Sequence, residues 1–243
     1  HVAAPDLADV PDIRTELEAL GITLHGISLK RTGTNPVADL ATVAELWQLM
    51  RRIRADYVLG YTIKPVIYGS MAAWLANVPN RFALVTGLGY AFTGDASGKR
   101  GLLRKLIQRL YRFGLSKSRK VFFQNPDDET LFRQLKLLPA DIPSCVVNGS
   151  GVDVADYALA PLPEKPSFLL IARLLGDKGV REYAQAARKV KAQYPDAVFR
   201  LVGWIDDNPD AISQQELDGG VNTGTVEFLG KLADVRPAIA DCN

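Results

Sequence analysis

The sequence predicts an α/β fold built of two Rossmann-like domains in tandem, each a parallel sheet with helices on both faces. Three observations carry this. Short apolar, β-branched runs alternate strictly with helix-period segments, and the alternation occurs twice along the chain. Between the two series, Ala160-Pro161-Leu162-Pro163-Glu164-Lys165-Pro166 places three prolines in seven residues. Each proline removes a backbone donor and restricts its predecessor, so the stretch reads as an extended connector. Charge is also shared unevenly: residues 1–160 hold 19 Lys/Arg against 15 Asp/Glu, and 161–243 hold 10 against 12. The expected domains are therefore 1–160 and 161–243.

In the first domain the strand-like runs are HVAA, ITLHGISL, YVLGYT, RFALVTG, KVFFQN and SCVVNG. Helical spacing falls at 11–20, 37–55, 65–77, 99–116 and 126–136. The second repeats the rhythm with SFLLIAR, a helix over 179–193, AVFRLVG, a short helix near 212–218, VEFLG, and a helical start at 233–242. No solenoid repeat or low-complexity tract interrupts it.

Composition narrows the function. The chain has 243 residues, a net charge of +2, 47% hydrophobic and 23% charged residues. That is enough chain to bury a core without staples. Two cysteines (Cys145, Cys242) and two histidines (His1, His25) cannot build a Cys/His zinc cluster or a disulfide framework, and no metal is expected. No uncharged apolar run reaches the ~20 residues that span a bilayer, and HVAAPDLADV lacks signal-peptide character, so a cytoplasmic location is expected. Nucleic acid is a poor fit, because aromatic residues do not interleave with the basic ones and net charge is small.

Ligands of such sheets bind beyond the carboxyl ends of the strands. The segments there are polar and glycine-rich: Lys30-Arg31-Thr32-Gly33-Thr34-Asn35-Pro36, Tyr61-Thr62-Ile63-Lys64-Pro65, Gly87–Gly94, Gln124-Asn125-Pro126 and Asn148–Asp153. The sharpest signal opens the second domain. After the strand Phe168–Ala172 come Arg173 and then Asp177-Lys178-Gly179 at a predicted helix start. Free helix N–H groups and the dipole there favour an anion, so Arg173 and Lys178 facing one crevice form a candidate diphosphate grip. The alternative for the same residues is a solvated Lys178 and an Arg173–Asp177 ion pair. The loop after the fourth strand is no dinucleotide fingerprint, since Gly87-Leu88-Gly89-Tyr90-Ala91-Phe92 puts Phe where the third glycine belongs.

Together, Ala172-Arg173-Leu174-Leu175-Gly176-Asp177-Lys178-Gly179, Phe199–Gly203 and Val226–Gly230 resemble the nucleotide-sugar domain of the retaining glycosyltransferase family 4, whose fold is GT-B, two Rossmann-like domains facing a cleft. Asn148-Gly149-Ser150-Gly151-Val152-Asp153 is similar to that family's segment leading into the linker. Arg-Thr-Gly-Thr-Asn-Pro and Gly-Tyr-Thr-Ile-Lys-Pro resemble the subgroup that builds bacterial surface polysaccharides, including bacillosaminyl-lipid N-acetylgalactosaminyltransferase-like enzymes. The resemblance implies transfer of a sugar, with retention, from a nucleotide-diphosphate donor, by family frequency a UDP-sugar, to a lipid-diphosphate-linked or glycan acceptor. Arg173 and Lys178 would neutralise the diphosphate, with Gly179 at the helix start. Gly203, Phe228, Leu229 and Gly230 would border base and ribose. Arg31, Thr32, Thr34, Asn35, Tyr61, Thr62, Lys64, Gly87, Gly89 and Asn148 would line the acceptor rim. Many relatives carry His-Gly after the fourth strand; Thr86-Gly87 stands here, so Thr86 or a main-chain group is expected to hold the donor sugar, and the departing phosphate to take the acceptor's proton.

The resemblance also implies pieces beyond this stretch: a first strand with its glycine-rich loop before His1, and a Glu-x7-Glu element after Asn243, for which Asp234 and Asp241 are no substitute. The second domain is thus expected to be incomplete, in a protein of roughly 370–400 residues. Residues 99–120 carry nine Lys/Arg and no acid around an apolar stripe of Leu102, Leu103, Leu106, Ile107, Leu110 and Phe113. That stripe is expected to pack on the sheet, or the helix to meet anionic lipid head groups or the acceptor's diphosphate. Two other functions fit the fold: a nucleotide-sugar epimerase, disfavoured by the scarcity of histidine, and a non-catalytic nucleotide- or glycan-binding module.

Overall fold

The structure, a computed structural model, describes residues 1–29, 35–87, 98–206 and 210–242. The chain divides into two compact units, His1–Gly151 and Val152–Asn243. The proline-rich stretch 161–166 carries neither helix nor strand and lies within the second unit, ahead of its first strand.

In the first unit the order is β1 (Val2–Ala4), α1 (Pro11–Ala19), β2 (Leu24–Gly26), α2 (Pro36–Ile53), β3 (Tyr57–Tyr61), α3 (Ser70–Leu75), β4 (Asn80–Val85), α4 (Gly98–Ser116), β5 (Lys120–Phe123), α5 (Pro126–Gln134) and β6 (Ser144–Val146). All pairings are parallel: β1 with β2, and β3-β4-β5-β6 in a second sheet. The register sets Ala83 and Val85 of β4 beside Val121 and Phe123 of β5, and all four are buried. The run ITLHGISL yields only the three-residue β2.

Helix starts follow local chemistry. Asn35 caps α2 by accepting from the N–H groups of Val37 and Ala38, and Pro36 occupies the first turn, where its missing donor costs nothing. Asn125 does the same for α5, accepting from the Asp128 N–H at 2.7 Å while its amide donates to the Asp128 carboxylate at 2.8 Å.

The predicted helix over 65–77 has a different beginning: Pro65–Gly69 is one π-helical turn that runs into α3. Gly60 explains the tightness of the approach, since a Cβ there would stand 2.7 Å from the Pro65 carbonyl oxygen. Gly114 lets α4 close on the same turn, its Cβ position lying 3.1 Å from the Ile67 carbonyl oxygen.

The core beneath joins Val66, Val85, Leu115 and Phe123 to an aromatic cluster. Phe132 meets Tyr111 edge-on at 5.2 Å and Phe123 at 5.3 Å. Burial pushes the Tyr111 hydroxyl's pKa up, with the nearby Asp128 charge adding to the effect.

The second unit comprises β7 (Ser167–Ile171), α6 (Val180–Gln193), β8 (Val198–Val202), α7 (Gln214–Asn222), β9 (Glu227–Phe228) and α8 (Arg236–Ala240), with β7-β8-β9 parallel. Its core gathers Leu174, Val180, Phe199, Leu201, Leu217 and Val226. Among the described residues no helix is long and apolar enough to cross a membrane.

Phe132 is fully buried at the centre of three aromatic rings. Phe132→Ala is expected to lower the stability of the first unit by about 3–5 kcal/mol, read from urea unfolding followed by tyrosine and tryptophan emission.

Candidate functional site

In the second unit the carboxyl ends of all three strands converge on one glycine. Gly203 directly follows β8, has φ +155°, and donates its N–H to the Gly230 carbonyl at 2.9 Å. On its other side the chain after β7 passes so close that a Cβ on Gly203 would sit 1.8 Å from the Ala172 carbonyl oxygen. No side chain fits there. Gly203 was expected to border a nucleotide; in this structure packing alone demands glycine.

Arg173 leaves the end of β7 with its guanidinium exposed and donating to the Asp206 carboxylate at 3.0 Å. The alternative partner Asp177 is not engaged this way. Instead its backbone N–H donates to the Asp210 carboxylate at 2.9 Å, and the Asp210 carbonyl accepts from the Gly176 N–H at 2.9 Å. The expectation of a helix beginning at 177–179 needs correction. Gly176–Lys178 form a separate 3-10 turn, Gly179 takes left-handed φ +74° as the pivot, and α6 begins at Val180. Lys178 is therefore presented from the turn just ahead of α6, exposed and with no side-chain partner among the described residues.

A second tie braces this turn. Arg181, in the first turn of α6, reaches Glu216 of α7 through Nε at 2.8 Å and Nη2 at 3.3 Å. Glu216 is also half of a capping box with Ser213. The Arg181 guanidinium, helped by the Ser213 N–H and hydroxyl, holds the Glu216 pKa at about 2, well below its ordinary 4.5. Phe228 packs on the core, whereas Leu229 and the neighbouring Trp204 are about 40% exposed, with the Lys231 ammonium 5.1 Å from the Trp204 ring centroid. The sequence reading missed Asp206, Asp210, Arg181 and Glu216. The only hint was acidity in 206–210, shortly after a strand end.

In the first unit Tyr61 is exposed at the end of β3, and Thr62 follows with φ +72°, a left-handed conformation that a β-branched residue rarely adopts. Its carbonyl accepts from the Val66 N–H at 2.9 Å, which fixes the turn. Lys64 was expected on the acceptor rim as a cation, but its side chain is 16% exposed and its ammonium lies 3.0 Å from Asp39 in the first turn of α2. The same carboxylate accepts from the Tyr68 hydroxyl at 2.8 Å, and burial together with that bond pushes the Tyr68 pKa up.

Asn35 is engaged as the α2 cap. Thr86 and Gly87 (φ +149°) follow β4, and Asn148 is exposed after β6. Arg31, Thr32, Thr34 and Gly89 lie outside the described residues, as does most of the glycine-rich loop after β4. His25 and His1 meet through their rings, Nε2 to Nδ1 at 3.0 Å. On α4 the expected stripe divides: Ile107 and Leu110 turn inward, but Leu102, Leu106 and Phe113 are exposed.

A model for the family described as glycosyl transferase 4-like matches residues 7–125. That stretch, just under half of the chain, is similar to glycosyl transferase 4-like domains. Over 94% of the chain, the sequence is 29% identical to the N,N'-diacetylbacillosaminyl-diphospho-undecaprenol alpha-1,3-N-acetylgalactosaminyltransferase of Campylobacter jejuni. Over 69% it is 29% identical to the UDP-Gal:alpha-D-GlcNAc-diphosphoundecaprenol alpha-1,3-galactosyltransferase of Escherichia coli. The chain spans 62% and 45% of those two proteins.

A glycosyltransferase from Rickettsia africae superimposes with a TM-score of 0.60 at 16% identity, over 96% of this chain and 61% of that one. The UDP-GlcNAc 2-epimerase of Neisseria meningitidis gives 0.53 at 12%, over 98% and 65%. The chain thus has the fold of GT-B glycosyltransferases. The epimerase shares that fold, and the two sequence relatives are both named as glycosyltransferases.

Gly203→Ala is expected to cost about 3 kcal/mol or more, since it combines a clash with a left-handed backbone. Gly219→Ala, inside α7 with nothing near the new methyl, should instead stabilise by about 0.5–1 kcal/mol. Thermal unfolding of both variants checks the contrast. Because the Glu216 pKa is depressed, its stabilising contribution is complete above pH 4.5 and is lost as pH falls toward about 2. Glu216→Gln should therefore be less stable than the parent at neutral pH, with the difference closing over that window in acid-unfolding curves.

Proposed function

We propose that this chain is part of a retaining glycosyltransferase that moves a sugar from a UDP-sugar to an acceptor carried on a lipid diphosphate, at the cytoplasmic side of a membrane. The observation that carries the reading is that Arg173 and Lys178 both stand exposed in the segment following β7, Lys178 on a turn braced by Asp210 and, through α6, by Arg181 and Glu216. Both relatives are named for acceptors on undecaprenyl diphosphate.

Charge is the core of the chemistry. The nucleoside diphosphate leaves with its negative charge increased, and cations already held in place stabilise that charge more in the transition state than in the bound donor. Arg173 suits a two-oxygen contact, and Lys178 adds a point charge. With these cations no divalent metal is required. Arg173 must exchange Asp206 for phosphate. Exposed pairs of this kind contribute only about 0–1 kcal/mol, so the exchange costs little while the carboxylate orients the guanidinium beforehand.

For retention, the bond between the anomeric carbon and the acceptor oxygen forms on the face from which the diphosphate departs. The acceptor's proton passes to a leaving phosphate oxygen. Thr86, or the main chain beside it, holds the donor sugar, and Tyr61, Thr62, Asn148 and the Arg31–Asn35 segment form the acceptor side. Thr62 and the Lys64–Asp39–Tyr68 network support this role, because a strained backbone beside a nearly buried ion pair gives a rigid edge on which sugar hydroxyls can be oriented.

Arg173→Ala and Lys178→Ala in the full-length protein should each lower turnover by about 10²–10³-fold, with weaker donor binding. Labelled donor is supplied with and without lipid acceptor. Transfer that depends on both cations supports the reading, isomerisation of the donor would indicate an epimerase, and transfer that survives both substitutions would remove Arg173 and Lys178 from the mechanism.

A further inference from the structure

The outer helices of the first unit leave a continuous apolar tract exposed. It begins between α2 and α3, where Leu40, Val43, Ala44, Trp47 and Leu75 line a shallow groove. Leu75 is next to Trp74, whose ring meets Phe113 of α4 edge-on at 6.0 Å. From Phe113 the tract continues along α4 through Leu106 to Leu102, which is 73% exposed. Positions 102, 106, 109 and 113 fall on one face of a helix, so Arg109 interrupts this stripe while Lys105 and Arg112 flank it, all three exposed. Lys117 stands over both rings, its ammonium 4.8 Å from the Trp74 centroid and 5.1 Å from that of Phe113. Arg51 extends the cationic border along the exposed side of α2.

Ordinary packing does not account for this face. α4 buries Tyr111, Gly114 and Leu115 against the π-turn and sheet, and that contact is complete without Leu102, Leu106 or Phe113. The tract is larger than scattered surface leucines, and its rim is of a single sign. A symmetric contact with a second copy would bring the same cations face to face. An anionic bilayer meets both demands: tryptophan and phenylalanine settle at the boundary between head groups and acyl chains, and each nearby Lys/Arg strengthens attachment about fivefold.

We propose that the α2–α3–α4 face is a bilayer-docking surface. Trp47, Trp74, Phe113, Leu106 and Leu102 enter the head-group boundary of an anionic membrane, and Lys105, Arg109, Arg112 and Lys117 meet the lipid phosphates. This rests on the lipid-linked acceptor of the preceding section, which it extends by giving the surface that carries the protein to such acceptors.

The test uses full-length protein floated with vesicles free of acceptor, either pure phosphatidylcholine or containing 30% phosphatidylglycerol, a composition of about physiological charge. Binding to the anionic vesicles is expected, roughly tenfold or more weaker to the neutral ones and reduced at least about tenfold by Leu106→Glu with Phe113→Glu. With every tryptophan of the full-length protein other than Trp47 and Trp74 replaced by Phe, those two report directly, and brominated anionic lipid should quench their emission without any change to the face. Equal binding to both vesicle types, absence of quenching, or binding that survives the double substitution overturns the proposal. So does a self-association that the double substitution abolishes in protein that does not float. Transfer to a water-soluble acceptor diphosphate is measured in parallel. The double variant should keep that rate, and failure of transfer there with flotation intact counts against the transferase reading alone.

Discussion

The contact between Gly203 and the Ala172 carbonyl organises the second unit. A parallel sheet needs only its ladder to form, but a binding edge needs the chain ends beyond the ladder to be held in fixed relation. Here that is done with main-chain atoms. The Gly203 N–H binds the Gly230 carbonyl, the Leu174 N–H binds the Trp204 carbonyl, and the Ile212 N–H binds the Leu174 carbonyl. Buried Leu174 anchors this lattice in the core, and Arg173 is its immediate neighbour. The guanidinium therefore stands on a base whose geometry is set by backbone hydrogen bonds. Any side chain at position 203 would separate the ends of β7 and β8 and displace Arg173 with them.

Much of the fold was legible because its signals are local. Helical spacing over 37–55 and 126–136 announced α2 and α5, and short apolar, β-branched runs announced the strands. What the sequence could not supply were contacts across long separations and backbone states contrary to type. Asp206 and Asp210 lie 33 residues from Arg173 and Asp177, and nothing in the intervening pattern links them. Thr62 is left-handed although threonine avoids that region, because Gly60 and the Val66 N–H dictate the turn around it. The exposed cations Arg173 and Lys178 were legible as residue types after a strand end. Its bracing by Arg181 and Glu216 was not, since i to i+35 pairing has no periodic signature.

The stripe on α4 was legible only in part, for a different reason. Six apolar positions from 102 to 113 span more of the helix surface than a sheet can cover, so hydrophobic spacing alone could not say which part was buried. Gly114 settles it. A helix approaches main chain most closely where a side chain is missing, and the carbonyl of Ile67 lies against that gap. Once Gly114 defines the inward side, Leu102, Leu106 and Phe113 must point away, and the arginines beside them are part of the same surface as the exposed apolar groups.

The two units handle their charges in opposite ways, and the difference bears on function. In the first unit Lys64 is nearly buried with Asp39 and Tyr68, so removing either charge would strand the other in a poorly solvated place, and the group is fixed as part of the framework. In the second unit Arg173 is exposed and its pair with Asp206 exchanges at small cost, while Lys178 has no competing side-chain partner among the described residues. A mobile anion is captured by charges that are oriented yet weakly committed, and a neutral polyhydroxylated ligand is positioned by groups that do not move. On the function proposed above, the division fits a donor held through its diphosphate and an acceptor sugar held through its hydroxyls.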